Sequence, residues 1–341
     1  MKNKKPWLII LLIAIFLIAN TVGCSKETVQ PSGETNGQEE IETITLEIIS
    51  AFERGSATAW YVEPFIKRVE EKSDGHLKIR WVGGPEVMAA SDQAEAVMRG
   101  TMDMAIGVFS YYGDILPGAE AFDLTEYTPS EERENGAYEL LEEVHKQINC
   151  QYLGKISSGR NFFLLSNKKI ENLNDFNGLK FRASPTTSDF MEKLGIVPVM
   201  QPWSETYSAL ETGMVVGVGG PLTSFASYSL QEVVDYLIVH GFYDTTHSLI
   251  VNQKVWDSLP EYHQNVLHEV MVEWEPYARE YEQKAQEEVI KSFVEQGMEL
   301  IELPDAIAQE YLKLASDAAW EMVKDRLDDA TYQRYVDVLR K

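Results

Sequence analysis

The fold is decided between residues 178 and 222, GLKFRASPTTSDFMEKLGIVPVMQPWSETYSALETGMVVGVGGPL. The first five residues read as a short strand that ends on Arg182. After Ser184 and Pro185 an amphipathic segment turns Phe190, Met191 and Leu194 inward, and Gly195 serves as its C-cap. A short apolar run covers 197–200. Residues 203–207 (Trp-Ser-Glu-Thr-Tyr) open another helix that stops at Gly213, and 214–218 reads as a buried strand broken by Gly219, Gly220 and Pro221. Strand and helix alternating at this spacing predict βαβ units on a mainly parallel sheet, an α/β fold. Arg182 stands where such a strand ends, and open α/β sheets bind ligands beyond those ends.

Three motifs in this order carry a resemblance: Gly-Leu-Lys-Phe-Arg (178–182), Pro-Trp-Ser-Glu-Thr-Tyr-Ser-Ala-Leu-Glu-Thr-Gly (202–213) and Gly-Pro-Leu (220–222). The stretch resembles the second-lobe core of the solute-binding proteins of TRAP (tripartite ATP-independent periplasmic) transporters, the dicarboxylate-binding-protein-like family. The similarity extends from about residue 46 to about residue 270. It implies a two-lobed periplasmic-binding-protein-like fold with a hinge and a long lobe-spanning helix. It also implies that an arginine at the position of Arg182 pairs with a ligand carboxylate.

Working outward, the N-terminus is read first. Met1 to Lys5 is basic, and Trp7 to Ala19 is an unbroken apolar run of 13 residues, the length of a signal-peptide core and short for a membrane span. Asn20-Thr21-Val22-Gly23 before Cys24 resembles a bacterial lipoprotein cleavage box, with Thr21 where leucine is usual. The resemblance makes Cys24 the lipidated (palmitate-type) first residue of the mature chain; an uncleaved anchor is the alternative. Residues 1–23 are thus expected to be a signal peptide and 24–42, polar and poor in apolar residues, a disordered tether. Either way the body lies outside the cytoplasm, on the cell membrane or in the periplasm.

Strands are expected over 43–50 and 77–82, with helices around 60–69 and 91–99 and a Gly100–Asp103 turn before a third strand. This order resembles the first lobe of the same family. One amphipathic helix is expected over 130–147, capped by Ser130. A strand over 152–156, a loop over 157–161 and a strand over 162–165 then cross between lobes. Residues 228–236 read as helical, 237–241 and 246–252 as two separate strands, 262–296 as one long acidic helix, and about 304–319 and 329–341 as two more. The expected lobes are 43–157 with 246–285, and 158–245 with 286–341.

The formal net charge of −24 over 341 residues argues against nucleic acid and against an electrostatic grip on anionic lipid. A site for an anion must therefore build its own positive field. Cys24 and Cys150 are poorly placed for a disulfide, and no Cys/His cluster has zinc spacing. The six histidines are scattered, Ser157-Ser158-Gly159 is not a nucleophile elbow, and no P-loop or GxGxxG occurs. No enzyme and no cofactor is expected.

The candidate ligand residues are Arg182, Arg160, Trp203, Tyr207, Gly220, Glu86, Phe52, Glu53, Val108, Tyr111 and Tyr243. A guanidinium meets a carboxylate through two parallel hydrogen bonds, which fix orientation as well as affinity. The bland alternative for each arginine is a structural pair with a nearby acid. Trp203 is a pocket wall by the resemblance or a core tryptophan by pattern, and Tyr207 fits core or second-rank support. Phe52, Glu53, Glu86, Val108 and Tyr111 lie in first-lobe loops; either acid could bind a cationic or hydroxyl group, or be a solvated loop carboxylate. Tyr243 is a hinge-region candidate. Gly220 departs from the family, which commonly has asparagine there, and Val216 replaces a common acid. Gly220 offers only backbone groups, or leaves room for a bulkier ligand.

The expected function is capture of a small organic anion in an interlobe cleft and delivery to TRAP-type membrane permease subunits. The rival expectation is a sensor subunit that presents the same ligand to a membrane receptor. For the leader, mass spectrometry should find a lipid-modified N-terminus at Cys24, and Cys24→Ser should leave the leader uncleaved. An intact, unmodified leader on the unaltered protein would make the apolar run a plain anchor.

Overall fold

The computed structural model describes residues 41–341. The expected signal peptide, Cys24 and all but the end of the tether lie outside the described residues. Among the described residues the strands are β1 (Ile44–Ser50), β2 (Leu77–Gly83), β3 (Met104–Gly107), β4 (Cys150–Ser166), β5 (Lys180–Ala183), β6 (Val197–Met200), β7 (Gly217–Pro221), β8 (Tyr236–Asn252) and β9 (Glu299–Ile301). The helices are α1 (Val62–Lys72), α2 (Ala90–Arg99), α3 (Pro129–Asn135), α4 (Ala137–Gln147), α5 (Pro185–Lys193), α6 (Thr206–Glu211), α7 (Leu222–Ser227), α8 (Gln253–Ser258), α9 (Glu261–Glu295), α10 (Asp305–Lys324) and α11 (Asp329–Leu339).

The strands join in the order β2-β1-β3-β8-β4-β7-β5-β6, with β9 on β8. β1 pairs parallel with β2 and β3, and β5 pairs parallel with β6 and β7. Between these parallel sets β4 and β8 run antiparallel to each other for their whole length. One end of β8 pairs with β3 and the other with β9, while β4 meets β7 along its far end alone. The architecture is therefore two-lobed α/β, and β4 and β8 belong to both lobes.

Each lobe buries its sheet on two faces. Clusters around Phe65, Ile48 and Trp274 and around Phe109, Leu141 and Tyr152 fill the first. Clusters around Phe181, Phe190 and Tyr311 and around Phe225, Leu165 and Phe293 fill the second. The long helix α9, about 52 Å at 1.5 Å per residue, sets Leu267, Val270 and Trp274 in the first lobe and Phe293 in the second. α10 does the same with Tyr311 and Ala315 in the second lobe and Trp320 and Val323 in the first, where Tyr335 and Leu339 of α11 also pack.

Several local expectations differ from the structure. The buried strand expected over 214–218 lies at Gly217–Pro221, so Gly219, Gly220 and Pro221 belong to it instead of breaking it and Met214 is exposed; β9 is not among the expected strands. β4 is one bulged strand instead of strand, loop and strand. Its polar stretch stays paired because side chains of α9 satisfy the backbone that the bulges free: Gln286 accepts from Asn161 N at 2.9 Å and donates to Gly159 O at 2.6 Å. β8 likewise continues through Gly241, where a Cβ would stand 2.7 Å from Asn161 Cβ. The helix expected over 130–147 is two. Thr128, not Ser130, caps the first through a box with Glu131, and Gly136 at φ +92° ends it. Between 228 and 236 only a turn of 3₁₀ helix forms, at Leu230–Glu232, after Ser229 at φ +53°.

The β4 bulge also places Gly154 at φ +153° under α9. A Cβ there would lie 2.6 Å from Met271 Cγ and run into Glu275. Gly154→Ala should therefore destabilise the protein by about 1–3 kcal/mol through overpacking, read as a lower urea midpoint at unchanged m-value. An unchanged midpoint would mean that α9 moves off β4 at no cost.

Candidate functional site

A cleft of about 300 Å³ opens between the lobes where β4 and β8 cross. Of the candidates read from sequence, Phe52, Val108, Tyr111, Arg160, Trp203 and Tyr243 line it. Loops after β1 and β3 supply the first three. Trp203 comes from the turn before α6, and Arg160 and Tyr243 come from the two crossing strands. Ser184 and Thr186 at the start of α5 and Thr223 and Ser224 of α7 add hydroxyls to the second-lobe wall.

The two arginines occupy different electrostatic states. Arg160 is buried and paired with Glu282 of α9, its Nε donating at 3.3 Å. The same carboxylate accepts from Trp60 Nε1 at 2.7 Å and Ser157 Oγ at 3.1 Å. Arg182, at 4% exposure, has no acid beside it among the described residues. Its Nε donates to Gln201 O at 3.0 Å, its guanidinium carbon stands 3.9 Å from the centre of the Trp203 ring, and its buried Nη1 has no hydrogen-bond partner among the described residues. It does not itself line the cleft; the indole that covers it does.

The other candidates stand apart from the cleft. Gly220 lies within β7, and a Cβ there would come within 2.6 Å of the Trp203 ring, so the room left by the missing asparagine is filled by indole. Tyr207 donates from its hydroxyl to Glu232 at 3.2 Å. Glu86 is exposed and accepts from Gly84 N at 2.8 Å, a bond that lowers its pKa. Glu53 is exposed.

Sequence reasoning missed two buried residues of the cleft. His247 shares a 2.7 Å hydrogen bond with Tyr61 Oη and stacks on Phe52 at 4.6 Å; burial, reinforced by Arg160, holds its pKa well below the ordinary value. Asp123 accepts from Thr246 N and Tyr243 Oη, each at 3.2 Å, and from Thr246 Oγ1. Burial pushes its carboxyl up to about 7, against the pull of those bonds and of Lys155. Neither has a local signature: His247 sits in an alternating strand, and Asp123 is one of 54 acids. No group of three His, Cys, Asp or Glu among the described residues could hold a metal ion.

Two lobes sharing crossed strands, with a partly polar cleft at the crossing, define the class of hinged solute-binding proteins. Comparison with known proteins makes this specific. Residues 51–325 match the family model described as "Bacterial extracellular solute-binding protein, family 7". A C4-dicarboxylate-binding periplasmic protein of Rhodobacter capsulatus is 25% identical over 288 residues, 79% of this chain and 81% of that one. A TRAP periplasmic solute-binding protein of Rhodobacter sphaeroides, in an open form without ligand, superposes with a TM-score of 0.77 at 21% identity, covering 86% of this chain and 98% of that one. Another from Desulfovibrio salexigens, with bound orotic acid, gives 0.67 at 20% identity over 86% and 97%. The chain belongs to bacterial extracellular solute-binding protein family 7, a family of solute-binding proteins and not of enzymes.

Asp123 gives the unliganded protein a pH signature. Its native pKa lies above the usual unfolded value of about 3.9, so the native state binds more protons between roughly pH 4 and pH 7. Stability from this group is complete below about pH 4 and is lost as pH rises through 7. Asp123→Asn should flatten that part of the stability curve. Parallel urea titrations at pH 4.5 and 7.5 check it: equal slopes for the two proteins would mean that Asp123 is ionised throughout.

Proposed function

We propose that the protein captures a small organic acid in the cleft, with Arg182 as the main partner of its carboxylate, and delivers it to the membrane subunits of a TRAP transporter. The observation that supports this reading is the buried guanidinium of Arg182, paired with no acid and with Nη1 unpartnered among the described residues. A buried charge without a counter-charge costs free energy, and an arriving carboxylate removes that cost while taking two parallel hydrogen bonds. Arg160 is already neutralised by Glu282 and acts as a fixed wall. The acids named for the relatives, a C4-dicarboxylate and orotic acid, support an anionic ligand class.

Trp203 then has a gating role: its indole must shift for a ligand to reach the cation it stacks upon. Closure of the lobes over the ligand excludes water and strengthens the charge-assisted bonds. In this reading Cys24 carries a lipid that holds the protein at the membrane, and the polar residues after it give the body reach toward the permease.

Arg182→Ala removes the carboxylate's partner inside a closed cleft, a loss of about 2–5 kcal/mol, or roughly 30- to 4000-fold in affinity at 1.4 kcal/mol per decade. Arg182→Lys keeps the charge and loses the fork, so it should fall between. Titration calorimetry with an acid found by thermal-shift screening reads this order at nearly constant unliganded melting temperature. Alanine binding as tightly as the unaltered protein would sink carboxylate capture by this residue, and an unfolded alanine variant would make Arg182 structural.

A further inference from the structure

A second cavity of about 430 Å³ adjoins the cleft: Tyr111, Thr186 and Tyr243 line both. Its apolar wall is Phe190 of α5, Phe242 of β8 and three alanines and Met322 of α10, and the charged Asp189 and Arg326 also line it. At its polar end Glu120 is buried, at 5% exposure. One of its oxygens, Oε1, is held by Arg326 Nη1 at 2.5 Å; the other, Oε2, is buried with no hydrogen-bond partner among the described residues. An acceptor stripped of water and left unsatisfied is costly, so this oxygen calls for a donor.

We propose that this annex is part of the ligand site and selects a monocarboxylate with an aryl or alkyl body and a hydroxyl at its far end, over short or long dicarboxylates. The inference rests on capture of the carboxylate at Arg182. Three features decide the class. The cleft alone is at the small end of ligand pockets, and the annex brings the whole into the ordinary range. The phenylalanine, alanine and methionine walls reward an apolar body. Glu120, with Oε2 unpartnered, accepts from a hydroxyl, whereas a second carboxylate would meet two acids, Glu120 and Asp189, against one guanidinium, Arg326, that Glu120 already engages.

Titration calorimetry on the protein with four probes tests the assignment: 3-(4-hydroxyphenyl)propionate, 3-phenylpropionate, succinate and adipate. The expected order puts the hydroxylated aryl acid first, the plain aryl acid next and both diacids last, with at least tenfold between the first and the diacids. Ala319→Leu, on a partly exposed position of the annex wall, should weaken both aryl acids at least tenfold and leave succinate unchanged. Glu120→Gln should shrink the hydroxyl preference and raise adipate affinity; it also decides the matter if the leucine variant does not fold. Aryl acids indifferent to both substitutions, diacids binding more tightly than aryl acids, or no binding by any of the four would overturn the proposal. Arg182→Ala separates the two readings. Acids that bind through Arg182 but ignore Ala319 and Glu120 refute only the annex. Aryl acids that need Ala319 but not Arg182 refute only carboxylate capture.

Discussion

The structure depends on one stripe of buried polar side chains along α9. Glu275, Glu282 and Gln286 point the same way from the buried face of the helix, and all three meet the bulged middle of β4. A bulge leaves backbone groups out of the ladder, and a buried group left unpaired is costly. Glu275 accepts from Lys155 N at 3.0 Å, and Gln286 serves Gly159 and Asn161. Without those partners β4 could not pass from one lobe to the other as a strand, and the cleft at the crossing would have no floor.

The same stripe explains why two arginines of the site differ. Arg160 stands on the bulged stretch, so α9 reaches it and Glu282 neutralises it. Arg182 is the last residue but one of β5, and its neighbours offer a carbonyl and an indole face. A guanidinium tolerates such a setting because its charge is delocalised and weakly hydrated. Position relative to one helix thus separates a structural cation from one left for a ligand.

What was readable from sequence follows the range of the interactions. The βαβ alternation around Arg182, the long helix and the edge strands are set by local periodicity and appeared as expected. Residues 157–161 have the composition of a loop, and only contacts from α9, more than 120 residues away, make them strand. The break at Gly136 and the cap at Thr128 were written locally, yet the apolar periodicity across them was stronger. Arg160 could be placed at the cleft, but its pairing could not, since Glu282 is one acid among many. Gly220 offers backbone groups or room by sequence alone, and that room is filled by an indole from the turn after β6.

Four segments pass between the lobes: β4, β8, α9 and α10. A pair of domains on one slack linker must surrender rotational and translational entropy each time it closes, and that loss is subtracted from affinity. Here most of that freedom is missing before any solute arrives. The opposing cost is elastic, the bending of two strands and two helices, and it grows with angle in place of being lost all at once. A small solute, with few atoms to contribute, can work against such a spring where it could not order a tether.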